Sequence, residues 1–148
     1  MKVVNEVKSN TKLLFSATIL LIIGNIVLSV IPTIFLNDGL FTSKTDDVIN
    51  LRNVFMIVIF APFFEETLMR GILQNWLKKI TKLSTTKIYI LIALIFSLLH
   101  LNFYLLPYFF TSLILSYSYD KSNKSLIVPI LVHSFYNLFV VIFSIIQK

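Results

Sequence analysis

The chain alternates long apolar runs with short polar interruptions. Five apolar runs stand out, at residues 13–36, 53–77, 88–103, 104 or 107 to 119, and 126–146. The first carries no charge and is long enough to cross a hydrocarbon core of about 30 Å as a helix. Lys2, Lys8 and Lys12 precede it, as basic residues precede a signal peptide. The run is too long for a signal's apolar region, and no small-residue cleavage site follows, so it reads as a retained helix. The third and fourth runs extend about 24 Å or less at 1.5 Å per residue. That shortness predicts a thinned bilayer around them, or a hairpin with a tight turn near Asn102. The second run breaks the pattern: "FFEETLMRG" at 63–71 sets two carboxylates and a guanidinium in otherwise apolar sequence. Each charge at the centre of a membrane helix costs about 2.5–3.5 kcal/mol on insertion scales.

Composition decides the class. Of 148 residues, 57% are hydrophobic and 14% charged, more apolar surface than a soluble domain can hide. The expected fold is all-α: a polytopic transmembrane bundle of about five helices. One integral membrane domain is expected over 1–148, with a motif-bearing core at about 53–146. Cysteine is absent, which excludes disulfides and thiolate chemistry. The net charge of +6 sits in the loops, where it reports topology rather than nucleic-acid binding. Basic loops alternate in position: the N-terminus, the loop with Lys78, Lys79, Lys82 and Lys87, and the loop with Lys121 and Lys124. The loop at 37–52 carries Asp38, Asp46 and Asp47 instead. The positive-inside rule then gives a multi-pass protein of the cell membrane, N-terminus cytoplasmic and C-terminus outside.

Few strongly polar residues lie inside the runs: Asn25, Glu65, Glu66, Arg70, His100, His133 and Asn137. Counted from the cytoplasmic boundaries, Glu65, His100 and Asn137 all fall at about 17–18 Å depth, and His133 at about 10 Å. Glu66 and Arg70 are spaced i,i+4 and can neutralise each other. His133 and Asn137 share the same spacing, hence one face. Glu65 is left as the unpaired carboxylate, with His100 and His133 as the only partners of suitable chemistry. Pro62 loosens the backbone just before it. A carboxylate near two imidazoles suits hydrolysis. Either Glu65 acts as general base on a water while the histidines and Asn137 donate to an oxyanion, or Glu65, His100 and His133 hold a zinc ion that activates the water. Asn25, by contrast, reads as interhelical glue.

Three motifs in order, "EETLMR" at 65–70, "FSLLH" at 96–100 and "HSFYN" at 133–137, resemble the EExxxR, FxxxH and HxxxN signatures of the CPBP (Abi) family. This family comprises CAAX-processing proteases and relatives linked to bacteriocin processing and immunity. The resemblance spans about residues 61–137. It implies intramembrane proteolysis, with Glu65 and His100 activating water, His133 and Asn137 holding the oxyanion, and Glu66 and Arg70 orienting the site. It implies a peptide or protein substrate in or at the bilayer. The chain departs from the pattern in its single helix ahead of the core, in Met69 before the arginine, and in Ser112 and Ser116 where spaced glycines are common. Those serines still form a small-xxx-small packing face. Two other classes remain in view: a non-cleaving immunity or regulatory protein on the same scaffold, and a small transporter or channel.

Overall fold

A computed structural model describes residues 2–36, 50–100 and 105–146. All elements among them are helical: α1 (Lys2–Ser9), α2 (Thr11–Leu36), α3 (51–80), α4 (Thr85–Leu99), α5 (Leu105–Lys121) and α6 (Ile127–Ile146). The apolar runs map onto α2 to α6. The short α1 ahead of them was not expected; Ser125 Oγ, just ahead of α6, donates to its Glu6 at 3.0 Å. Among the described residues, two stretches are long and apolar enough to cross a membrane by themselves, Thr11–Ser29 and Ile127–Ile146. The expected turn near Asn102 and most of the acidic loop lie outside the described residues.

Helix α3 is not a uniform α-helix. It runs as Leu51–Phe55, a π segment Met56–Phe60, Ala61–Glu66, a second π segment Thr67–Gln74, and Asn75–Ile80. The first π segment has a covalent cause. Pro62 has no N–H, and its ring crowds the carbonyl four residues back. The helix widens ahead of it, so that the N–H of Ala61 bonds Met56 O, five residues back instead of four. At its N-terminus, Asn50 caps the helix by accepting from Asn53 N at 2.8 Å.

Two apolar clusters hold the bundle. Leu14, Ala17 and Leu21 of α2 meet Ile114 and Leu115 of α5 and Val128 and Val132 of α6. Met69 and Leu77 of α3 meet Ile88, Ile92 and Phe96 of α4. Helix α5 touches both sides, packing on α4 and α2 as well as on α6. At Gly24 of α2 the backbone comes so close to α5 that an added Cβ would lie 2.1 Å from the Phe110 ring.

The distribution of polarity is inverted relative to a soluble protein. Phe60, Phe63, Phe64, Leu68 and Ile72 of α3 are exposed, while Glu66, Arg70 and Gln74 on its other side are 0% exposed. Water would favour the reverse; a hydrocarbon surround favours this arrangement.

Candidate functional site

The inward side of α3 sets a polar residue every fourth position: Glu66, Arg70, Gln74 and Lys78. Facing it on α5 is a second series at the same spacing: Ser112, Ser116 and Asp120. The two interlock. Arg70 Nη2 donates to Ser112 Oγ at 2.9 Å and to Ser112 O at 3.0 Å. Gln74 Nε2 reaches Ser116 O at 3.4 Å and Asp120 Oδ1 at 3.3 Å. Asp120 closes the ladder by pairing with Lys78 and accepting from Tyr89 of α4 at 2.5 Å. Small side chains at 112 and 116 are what allow so close an approach. The expected packing face is therefore also a set of acceptors.

At the top of this ladder Glu66 has two partners. Its Oε2 lies 2.9 Å from Arg70 Nη1, as an ion pair without well-directed hydrogen-bond geometry. Its Oε1 accepts from His133 Nδ1 of α6 at 2.9 Å. This alters the expected pairing. The imidazole assigned to Glu65 bonds Glu66 instead, because α6 faces the buried side of α3 on which 66, 70 and 74 lie. Glu65 sits about 100° round the helix.

Glu65 nonetheless belongs to the same cluster. It is half-buried, and its Oε2 is buried without a hydrogen-bond partner. Its ionisable neighbours are His133, His100, Glu66 and Arg70. His100 caps the C-terminal end of α4. Its ring is held between Phe96, at 4.5 Å, and Tyr108 of α5, at 4.0 Å between centroids. His100 Nδ1 meets Phe96 O at 2.8 Å. A carbonyl only accepts, so Nδ1 carries a proton and Nε2 is the ring nitrogen this bond leaves open. His133 Nδ1 likewise carries a proton, donated to the Glu66 carboxylate. Phe96 touches the whole group: its ring lies 6.2 Å from that of His133 and 5.3 Å from the Arg70 guanidinium.

The structure thus brings Glu65, Glu66, Arg70, His100 and His133 to one place. Asn137 lies one turn beyond His133, and its amide donates to Ile57 O of α3 at 2.9 Å. Asn25 ties α2 to α5 through Thr111 at 3.0 Å. Residues 48–139, which hold every motif position, match the family described as type II CAAX prenyl endopeptidase Rce1-like. The chain belongs to the Rce1-like family. That makes it a membrane protein of a protease family, whose substrates are peptides or proteins. No curated protein and no solved structure matches this Rce1-like chain significantly.

A carboxylate and two imidazoles have the chemistry of a zinc ligand set. Among the described residues, however, no three His, Asp or Glu side chains gather closely enough to hold a metal ion. Both Nδ1 atoms of this Rce1-like site are engaged by protein groups. Sequence reading missed Gln74, Asp120 and Tyr108. The first two were signalled by the four-residue spacing of polar positions on α3 and α5.

Proposed function

We propose that this protein is an intramembrane endopeptidase that hydrolyses a peptide bond of a membrane-associated substrate, with Glu65 as general base. One observation carries the reading: the buried Glu65 Oε2 has no protein partner, while the neighbouring Glu66 is taken up by Arg70 and His133. An unpartnered buried carboxylate oxygen is costly to maintain in folding terms alone. It is what a proton acceptor for water requires.

In this reading Glu65 takes a proton from a water whose oxygen attacks the scissile carbonyl carbon. His100 Nε2 accepts the water's other hydrogen bond and orients it. The carbonyl oxygen gains charge as the tetrahedral intermediate forms. An Nε2–H of His133, its Nδ1 held by Glu66, and the second N–H of the Asn137 amide stabilise that oxyanion. The proton on Glu65 then passes to the leaving amine as the C–N bond breaks. Glu66 and Arg70 orient His133 and are positioning residues. The protein crosses the cell membrane several times, with the N-terminus and the lysine-rich loop at 78–87 cytoplasmic and the C-terminus outside.

The test compares membrane-bound and secreted peptides from cells carrying the wild type or Glu65→Ala. Peptides that lose a defined terminal segment only with the wild type support cleavage. Identical profiles, with a peptide retained equally by both proteins, identify a binding module instead.

A further inference from the structure

Pro62 and Asn137 are 75 positions apart in sequence, yet one carbonyl connects them. In the π segment the N–H of Ala61 bonds Met56 O. Continued by one residue, the same register would have the N–H of residue 62 bond Ile57 O. Residue 62 is proline and has no N–H. Ile57 O therefore loses its donor within the helix, in a setting where an unsatisfied carbonyl is expensive. The side-chain amide of Asn137 takes the vacant place, with Nδ2 at 2.9 Å from Ile57 O.

We infer that Pro62 and Asn137 form a paired lock: proline forces the wide turn in α3 and orphans Ile57 O, and Asn137 satisfies that carbonyl from α6. The lock is a positioning device. Segment Ala61–Glu66, which follows the wide turn, carries both glutamates. Helix α6 carries His133 one turn before Asn137. Tying the turn to that helix fixes the rotation of α3 about its axis relative to the imidazole, and so decides which glutamate His133 meets. An extra residue in the turn rotates everything after it by about 100°. That is the angular separation of Glu65 and Glu66. The lock is a matter of backbone geometry, independent of whether Asn137 also touches the reacting carbonyl.

The test is a double-mutant cycle with Pro62→Ala, Asn137→Ala and both together, in detergent-solubilised full-length protein. Unfolding equilibria and turnover of one CAAX-type peptide are read. Asn137→Ala in the Pro62 background leaves Ile57 O unsatisfied and should raise the unfolding constant about tenfold or more. With Pro62→Ala the backbone N–H is restored, and adding Asn137→Ala should then change the constant by less than about threefold. If Asn137→Ala alone does not fold, the double variant folding is the supporting result, and its failing to fold overturns the lock. An equal loss in both backgrounds also overturns it. Turnover reads the register. Pro62→Ala keeps the Asn137 amide but loses the cause of the wide turn, so it should lower kcat about tenfold or more at unchanged KM. Wild-type kcat in folded Pro62→Ala overturns the positioning role and leaves the oxyanion assignment untouched.

Discussion

Replacing Glu66 by glutamine should produce an unstable enzyme and not merely an inactive one. Glu66 and Arg70 are both fully buried and pair at 2.9 Å. Removing one member of a buried pair strands the other charge, at a cost of about 3–5 kcal/mol. Arg70 keeps its two bonds to Ser112, so the loss should lie near the low end, about 3 kcal/mol. For a chain of this size that lowers the melting temperature by about 10 °C. Arg70→Gln should cost a similar amount. The double variant Glu66→Gln/Arg70→Gln should recover part of it, since neither charge is then left alone. The activities should diverge. Glu66→Gln also removes the carboxylate behind His133, whereas Arg70→Gln leaves that bond in place. At matched folded fraction, Glu66→Gln should therefore have the lower turnover. Melting curves in detergent and turnover of a single peptide decide it. Simple addition of the two single losses in the double variant would refute the pair as a coupled unit.

Three further outcomes follow from the same geometry. Gly24→Ala places a Cβ 2.1 Å from Phe110 and should destabilise by about 1–3 kcal/mol, with Phe110→Leu restoring most of it in melting curves. Asp120→Asn weakens the acceptor shared by Lys78, Tyr89 and Gln74, and should lower stability by about 1–3 kcal/mol while leaving KM unchanged. Cysteine at position 82 should resist an impermeant thiol reagent in intact cells and react after permeabilisation, whereas labelling in intact cells would reverse the topology.

Much of the bundle was legible because membrane helices announce themselves by unbroken apolar sequence, and the Glu66–Arg70 pair by its i,i+4 spacing. The partner of His133 was not. Glu65 and Glu66 are adjacent and identical in type, and only the rotation of α3 chooses between them. That rotation depends on a wide turn ahead of Pro62. The proline could be read as loosening the backbone there, but not the register that results. Asn137 was recognisable as a motif residue, yet its contact with Ile57 O could not be foreseen, because a backbone carbonyl becomes a target only after the helix has lost its own donor. Helix α1 escaped notice for another reason: it is too short and too polar for an apolar-run criterion.

In the proposed mechanism Glu65 does the chemistry while Glu66 holds the site. This division of roles is tested most directly by single-turnover cleavage of one identified peptide by purified wild type and Glu65→Gln, with melting temperature measured on the same samples. Glu65→Gln should keep the wild-type melting temperature and lose cleavage by about 10²–10⁴-fold, the scale of a general base. A stable Glu65→Gln protein that still cleaves at the wild-type rate would contradict it.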